Sequence, residues 1–368
     1  MLRDNPFGIV PIENVGVFAD RTKLKKDVDF LLSNLLASTP SRLAACFFGE
    51  WGAGKTHMTS YYSRPELLNE YAKKLDIPPP ISLKLITPAT EVIDTLYVNI
   101  LDLTDVGLLK KSVNELIASP TVISTECSVE ILKPIVKDAY TALAFLKSRE
   151  LLTSYLYQSA TRAELRAEGI PRGISTDSDK LNALRAVLNL LTRQYSRVII
   201  WLDDAERIRD LSARDLTEFQ IFLRDLLDYV PSNLDIIMLF TLSPTEKVND
   251  VILYLGDALR SRLSHSIQVE EMTKADFKKY VADLLAYFRT SGQEKIDTYF
   301  PFDEEVVEYI FDKMKEKDVL LKREQRGSLS VTPRNINQVC SQLLEIAMKD
   351  AKIKKVEKDL VDKLVESL

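Results

Sequence analysis

One eight-residue stretch near the start of the chain restricts its fold more than any other. The residues Gly49-Glu50-Trp51-Gly52-Ala53-Gly54-Lys55-Thr56 match the pattern G-x-x-x-x-G-K-[ST] at every position. An apolar run over 43–48 precedes the stretch, and a helical pattern begins at Lys55. The glycines permit a tight turn whose N–H groups point inward at an anion, and the N-terminus of the following helix attracts the same anion. The stretch therefore predicts a phosphate-binding loop between a buried strand and a helix.

The residues of this loop predict ATP and Mg²⁺ as the cofactors. The ammonium group of Lys55 reaches the β- and γ-phosphates, and the hydroxyl of Thr56 binds Mg²⁺, which keeps most of its waters. The backbone from Gly49 to Gly54 surrounds the phosphates. His57 follows on the same helix, where we interpret it as a packing residue beside the nucleotide rather than as a catalyst. The alternative is a glycine-rich turn that matches the pattern by chance, and the flanking strand and helix patterns disfavour it.

A second informative stretch lies in the middle of the chain. An apolar run over 198–202 ends in two carboxylates, Asp203 and Asp204. Such a run predicts a buried parallel strand whose acids lie at the edge where α/β folds bind ligands. Asp203 is the predicted Walker B acid that orients Mg²⁺, and either Asp204 or Glu206 polarises the attacking water. The alternative is a core strand whose acids only cap a helix.

Two further apolar runs carry polar residues with open roles. The run over 234–241 predicts another buried strand, and Thr241 or Ser243 at its end can contact the γ-phosphate or the lytic water. The run over 96–103 also predicts a core strand, which contains Asn99. A buried amide must be hydrogen-bonded, so Asn99 either holds the catalytic acid or satisfies local backbone groups.

Two arginines, Arg260 and Arg262, end a helical pattern just before a predicted short strand at 266–269. They lie on the far side of the predicted core from the phosphate loop. One of them can therefore act in trans on the γ-phosphate bound by a neighbouring copy. The alternative is that both are solvated cations.

Composition excludes several classes of function. The chain has 368 residues, a net charge of −5, two histidines and three cysteines. Two histidines exclude histidine-based metal sites and Ser-His-Asp triads. No apolar run approaches the ~20 residues of a membrane span, and the start lacks the apolar core of a signal peptide. We expect a cytoplasmic protein without a membrane partner, and the acidic charge argues against a dominant nucleic-acid-binding surface but not against a local basic patch.

The patterning predicts an α/β fold in three regions. Residues 1–40 form an extended lead-in and an amphipathic helix that pack on the core. Residues 41–272 form a parallel sheet flanked by helices, with a helical insertion at about 120–176. Strand patterning stops after 272, so that 273–368 are predicted to be an all-helical domain.

Four helices are predicted in this last region. The second covers 302–315 and is followed by a charged loop over 317–330. Pro333 suits the first turn of the third helix. The first helix begins at Thr273, and the fourth begins near Ile353.

The order of these motifs resembles the AAA+ ATPases. Within them it is similar to the replication-initiator (origin-recognition) branch and to the transposition ATPases of the TniB and ExeA type. Phe18-Ala19-Asp20-Arg21 before a helix is similar to the N-terminal box of that group, and Pro333-Arg334 resembles its sensor 2 motif. The resemblance covers nearly the whole chain except about 120–176.

The resemblance implies roles for individual residues. The all-helical domain 273–368 is a lid over the nucleotide, and Arg334 is sensor 2 and reaches the γ-phosphate from it. Arg260 or Arg262 is the arginine finger, and Asn99 restrains the catalytic acid. It also implies an ATPase that forms homo-oligomers and acts on DNA or on a DNA-bound protein. The alternative is an ATP- or ADP-binding regulatory or scaffold protein of a defence or segregation type, with little turnover.

Three departures from the family pattern qualify these expectations. The usual Asp-Glu pair is Asp203-Asp204, which predicts slow hydrolysis or a contribution from Glu206. The sequence ends where the initiators carry a winged helix, so major-groove reading by such a domain is expected to be absent. The insertion has no family counterpart. Gly49-Glu50-Trp51-Gly52 also resembles the loops of KAP-type and phage-defence ATPases, which leaves the subfamily open.

Overall fold

A computed structural model describes most of the chain. The described residues are 4–8, 16–19, 21–37, 42–118, 125–229, 233–243, 246–290, 297–324, 328–349 and 355–367. The strands within them are β1 (Arg42–Gly49), β2 (Ile81–Ile86), β3 (Val198–Asp203), β4 (Leu234–Thr241) and β5 (Leu263–Val269). The helices are α1 (Thr22–Ala37), α2 (Lys55–Tyr62), α3 (Pro65–Leu75), α4 (Val92–Asp102), α5 (Val106–Ile117), α6 (Thr125–Val136), α7 (Ala139–Leu146), α8 (Arg149–Leu156), α9 (Arg162–Ala167), α10 (Asp177–Leu191), α11 (Ala213–Tyr229), α12 (Val248–Leu253), α13 (Gly256–Arg260), α14 (Lys274–Phe288), α15 (Glu304–Arg323), α16 (Pro333–Lys349) and α17 (Lys358–Ser367).

The sheet is parallel throughout and has the strand order β2-β3-β4-β1-β5. Gly49 at the end of β1 pairs with Thr241 on one side and with Val269 on the other. Asp203 at the end of β3 pairs with Ile86. The carboxyl ends of all five strands therefore meet at one edge, where the phosphate loop leaves β1.

Helices cover both faces of the sheet, which explains why its strands read as continuous apolar runs. Phe48 and Phe240 face the helices that connect β2 to β3 and β3 to β4, and their rings stack with centroids 5.2 Å apart. Phe47 and Trp201 face the opposite side, where α1 and α2 pack. The predicted parallel sheet flanked by helices is confirmed.

The connection from β2 to β3 is helical from Val92 to Leu191 among the described residues, and so extends beyond the predicted insertion. The prediction of a strand over 96–103 was wrong, because these residues belong mostly to α4. Tyr97 and Leu101 are buried while Val98 is exposed, which is the spacing of a helix face rather than a strand. A short apolar run does not by itself distinguish a buried strand from a buried helix.

The C-terminal helices α14 to α17 enclose an apolar core of their own. The N-terminal segment 4–8 packs on them: Phe7 is buried edge-on against Phe302, with ring centroids 6.1 Å apart. Asn337 Nδ2 donates a 2.7 Å hydrogen bond to the carbonyl of Gly8. Among the described residues of the lead-in, Phe7 and Ala19 thus pack in the core of the helical domain, while Phe18 packs in the core beside the sheet.

The predicted loop over 317–330 was wrong in its first part, because α15 continues to Arg323. Lysine and glutamate favour helix in this segment. Asp318 on α15 is buried and accepts hydrogen bonds from the Ser328 hydroxyl and the Leu329 amide, which tie the chain after the helix back onto it. Of the helices within the described ranges, none combines the length and apolarity that crossing a bilayer requires.

Candidate functional site

The phosphate loop has the backbone geometry that its glycines permit. Gly52 and Gly54 have φ values of +80° and +91°, in the left-handed region that glycine adopts without strain. Helix α2 begins directly afterwards, and Gly54 provides no side chain to cap it. The first N–H groups of α2 are therefore available to an anion.

Lys55 lies inside the loop, with only 7% of its surface exposed. Its Nζ donates hydrogen bonds of 2.9 Å to the carbonyl of Gly49 and 3.0 Å to that of Glu50. Burial lowers the pKa of Lys55 from 10.5 to about 8, and the nearby carboxylates oppose this effect, Glu206 most strongly. An ammonium group has three donors, so one remains for a phosphate oxygen.

Arg21 supports the loop from the N-terminal side. Its guanidinium donates hydrogen bonds of 3.0 Å to the carbonyl of Ala53 and 3.0 Å to that of Glu270. The side chain is buried, and the backbone adopts φ 64°, which is unusual for a residue other than glycine. The site residues predicted from the sequence do not include Arg21. It belongs, however, to the box Phe18-Ala19-Asp20-Arg21, whose resemblance to the N-terminal box of the AAA+ group could have identified it. Asp20 itself lies outside the described residues.

His57 packs against the lead-in. Its Nε2–H donates a 3.0 Å hydrogen bond to the carbonyl of Val17, and its ring stacks on Phe18 with centroids 5.7 Å apart. Burial lowers the pKa of His57, and the hydrogen bond to Val17 only partly offsets this. These contacts agree with the packing role expected from the sequence.

The acids after β3 have different surroundings. Asp203 Oδ1 accepts a 3.0 Å hydrogen bond from the amide of Asp204. Asp204 has φ 51°, and its Oδ2 accepts a 2.9 Å hydrogen bond from Arg207. Burial and the charges of Asp203 and Glu206 raise the pKa of Asp204, while Arg207 lowers it. Glu206 Oε2 accepts a 2.8 Å hydrogen bond from the amide of Thr241 and so joins β3 to the end of β4.

The two candidate residues after β4 are now distinguished by position. Thr241 lines the cavity beside the phosphate loop together with Asp203 and Asp204. Ser243 is exposed, does not line that cavity, and donates its amide to Glu246 at 2.7 Å. The structure therefore brings Thr241, and not Ser243, to the site.

Asn99 does not occupy the position that its predicted role requires. It lies on α4 and does not line the cavity. The polar residue beside Asp203 from the neighbouring strand is Thr87, whose amide donates a 2.8 Å hydrogen bond to the Asp203 carbonyl. Thr87 is fully buried, and its hydroxyl oxygen lacks a hydrogen-bond partner among the described residues. The sequence feature that could have identified Thr87 is its position as a polar residue directly after the apolar run that forms β2.

The C-terminal domain closes the other side of the site. The amide of Arg334 lies 3.4 Å from the carbonyl of Gly52, and the Arg334 guanidinium carbon lies 3.6 Å from the centre of a Trp51 ring. A cavity of about 240 Å³ lies between the domains and is lined by the phosphate loop and by the C-terminal helices. Its lining also includes apolar and aromatic side chains, namely Val17, Phe18, Tyr280, Leu284, Tyr287 and Phe288.

Arg260 and Arg262 are remote from this cavity. They precede β5, whereas the phosphate loop faces its far end, and a strand of seven residues spans roughly 20 Å. Arg262 makes a bidentate ion pair with Asp228, with Nη2 2.7 Å and 2.9 Å from the two carboxylate oxygens. Within the described residues, Arg260 forms an ion pair only with the exposed Asp257 of its own helix, at 3.2 Å.

The donor set fits Mg²⁺ better than a transition metal. Thr56 and Asp203 both line the cavity and offer a hydroxyl and a carboxylate oxygen. In the described part of the chain, no group of three or more His, Cys, Asp or Glu residues could hold a metal ion. Mg²⁺ needs only one or two protein ligands, because waters and substrate phosphates complete its shell.

Comparison with known proteins gives a structural likeness only. No family profile and no curated protein matches the sequence. The Aeropyrum pernix ORC2 protein in its ADPNP–ADP complexes superposes with a TM-score of 0.53 and 12% identity, over 99% of this chain and 71% of that one. Its ADP form superposes with a TM-score of 0.51 and 12% identity, over 98% and 71%. The chain therefore has the fold of an AAA+ P-loop NTPase: a parallel five-stranded sheet flanked by helices, followed by a helical domain.

Proposed function

We propose that this chain is an ATP-dependent switch. It binds ATP with Mg²⁺ between the phosphate loop and the C-terminal helices, hydrolyses it, assembles with further copies, and acts on DNA or a DNA-associated partner. One observation carries the proposal: Lys55, Thr56, Asp203 and Arg334, which come from three distant parts of the sequence, line a single cavity. The two ORC2 structures of similar fold are an ADPNP–ADP complex and an ADP form, which supports nucleotide binding by this chain.

Each residue of the site has a separate role in this proposal. Lys55 and the loop amides hold the β- and γ-phosphates. Thr56 and Asp203 hold Mg²⁺, which supplies neutralisation of the phosphate charge. Asp204 accepts a proton from the attacking water, and Arg334 stabilises the charge on the γ-phosphate from the lid.

The position of the arginines supports assembly into oligomers. Arg260 lies at the opposite end of β5 from the loop of its own chain, where an arginine that acts on the site of a neighbouring copy would be expected. We favour Arg260 over Arg262 in this role, since Arg262 already makes a bidentate pair with Asp228. Light scattering with ATP and with ADP measures the oligomeric state and so tests this part of the proposal.

Two substitutions test the ATPase assignment. Lys55→Ala should remove nucleotide binding in calorimetry, and Asp203→Ala should remove Mg²⁺-dependent turnover while the protein stays folded. Lys111→Ala is the matched control, because Lys111 is an exposed lysine on α5 that, within the described residues, forms an ion pair only with Glu115. Turnover that survives both site substitutions would overturn the assignment.

A second candidate is a regulatory or scaffold protein that binds ATP or ADP with little turnover. Two features favour it: Asp204 is one methylene shorter than glutamate, and its carboxylate already accepts from Arg207. Single-turnover kinetics separates the candidates. ATP that remains intact on the protein over many minutes supports the second, and steady release of phosphate supports the first.

The DNA partner is tested separately. The net charge is −5, so any DNA contact must come from a local cationic surface. Binding to duplex DNA should then weaken steeply as salt is raised, in proportion to the number of phosphates contacted. If the protein shows no affinity for duplex DNA at low salt with ATP, with ADP or without nucleotide, DNA is excluded as the partner. The proposal then retains only a protein partner.

A further inference from the structure

Trp51 is an unusual residue for a phosphate loop. It is a large aromatic side chain that is 62% exposed, yet one ring face is in contact with a cation. The Arg334 guanidinium carbon lies 3.6 Å from the ring centre, which is van der Waals contact between two flat groups. The contact joins the loop to the first turn of α16.

The backbones of the loop and of α16 also lie in close contact at this point. The amide of Arg334 lies 3.4 Å from the Gly52 carbonyl. A Cβ atom on Gly52 would lie 2.8 Å from Cβ of Arg334, so the start of α16 reaches the loop at a place that only glycine leaves open. Because the backbone of Arg334 is fixed there, the ring of Trp51 decides where its guanidinium lies.

A stacked guanidinium keeps its hydrogen-bonding capacity. Stacking uses the flat face of the group, whereas its five N–H donors lie around the edge. Within the described residues, the guanidinium of Arg334 donates no hydrogen bond to another residue. Its edge is therefore available to a phosphate oxygen while its face rests on Trp51, and Arg334 lines the same cavity as Lys55.

We propose that Trp51 is a positioning residue for Arg334, which orients the guanidinium so that its N–H edge meets the γ-phosphate. The inference rests on the proposed function, because it assumes that ATP occupies the cavity. Trp51 acts through Arg334 and not on the nucleotide, so it should contribute to the preference for ATP over ADP. The stack exists before the nucleotide arrives and remains in the complex.

The first experiment measures the stack without nucleotide. Trp201 is the other tryptophan of the chain and is buried, so Trp201→Phe leaves Trp51 as the sole tryptophan, whose fluorescence is excited at a wavelength that tyrosine does not absorb. In this background, Arg334→Met should increase the acrylamide quenching of Trp51 about twofold, since a second ring face becomes accessible. Arg64→Met is the matched control, because Arg64 stacks on Tyr61 at 4.1 Å in the same way. Equal quenching in the parent and in Arg334→Met would overturn the inference.

The second experiment measures the preference for ATP over ADP by calorimetry with Mg²⁺. Trp51→Ala should lower the ratio of the two affinities about fivefold, the size expected for one partly exposed cation–π contact. Trp51→Phe should restore most of it, and Trp51→Ala should have no further effect in an Arg334→Met background. An unchanged ratio in Trp51→Ala would overturn the inference alone. A parent protein that binds neither nucleotide would overturn the proposed function, and this inference with it.

Discussion

Arg21 donates a 3.0 Å hydrogen bond to the carbonyl of Ala53, in the middle of the phosphate loop. The C=O of Ala53 and the N–H of Gly54 belong to one peptide plane and point in opposite directions, so this bond also fixes the direction of that N–H. A second bond from Arg21 to the Glu270 carbonyl ties the loop to the chain after β5. Arg21 thereby joins the N-terminal segment, the loop and the edge of the sheet.

Arg21→Ala should weaken both the fold and the site. Two hydrogen bonds from a charged donor are lost, so the free energy of unfolding should fall by about 2–3 kcal/mol in urea denaturation. The affinity for ADP should fall about tenfold, because the Ala53–Gly54 peptide loses its support. Arg21→Lys keeps the charge but not the fork that reaches two carbonyls, so it should be intermediate. Parent-like ADP affinity in Arg21→Ala would contradict this role.

Gly52→Ala should separate backbone strain from a steric effect. The added Cβ meets a φ of +80° and lies 2.8 Å from Cβ of Arg334, so both the loop and the lid must move. Gly169→Ala is the control: its φ is +76°, with nothing within 4 Å. Both variants should lose about 1 kcal/mol of stability from strain. Only Gly52→Ala should lose at least tenfold in nucleotide affinity, and equal affinities in the two variants would refute the contact with the lid.

The affinity for nucleotide should depend on pH through Lys55. Its pKa is about 8 without nucleotide, and bound phosphate favours the charged form and raises that pKa. Below pH 8 the ammonium is already present; above pH 8 binding must take up a proton. Affinity should therefore fall as pH rises above 8, by up to about tenfold per unit. Calorimetry in buffers of different ionisation enthalpy measures the proton uptake directly.

Lys55→Arg is the control for this dependence, because arginine stays charged over the whole range. The variant should bind more weakly at neutral pH, but its affinity should change little between pH 7 and 9.5. An affinity of the parent protein that is equal at both pH values would show that Lys55 is not the group responsible.

The acid side of the ATPase pH profile should report on Asp204. A general base must be deprotonated, so turnover should be lost as pH falls through the pKa of Asp204, which burial and neighbouring acids raise. Arg207 opposes that shift, and Arg207→Gln should therefore move the acid limb to higher pH. Arg214→Gln, which alters an exposed pair with Glu218 on α11, should leave the profile unchanged. An acid limb that Arg207→Gln does not move would instead favour Glu206 as the base.

Mixing experiments test the trans role of Arg260. Arg260→Ala and Lys55→Ala should each be inactive alone. A mixture should regain turnover, because an intact loop in one copy can then face an intact arginine in another. Arg262→Ala should lose stability as Asp228→Ala does, since both break the same bidentate pair. Full turnover of Arg260→Ala alone would remove Arg260 from the site.

Local patterns predicted much of the fold. The apolar runs that end at Gly49, Asp203 and Thr241 were located because a strand buried on both faces has an unbroken apolar sequence and ends in a polar or glycine residue. The same rule failed for α4, where Asn99 was assigned to a strand. A run of this length fits a buried helix equally well, and only the surrounding helices decide between the two.

The sequence by itself determined which residue types the site offers: a glycine loop with Lys55 and Thr56, and acids after an apolar strand, which is the combination expected to bind phosphate and a hard cation. The tertiary structure decided which distant residues complete it. Arg21 on Ala53, Thr87 on Asp203 and Arg334 on Trp51 are contacts between segments that lie far apart in the chain. They arise from the order of the strands and the position of the lid, and such contacts leave no local periodicity from which they could be predicted.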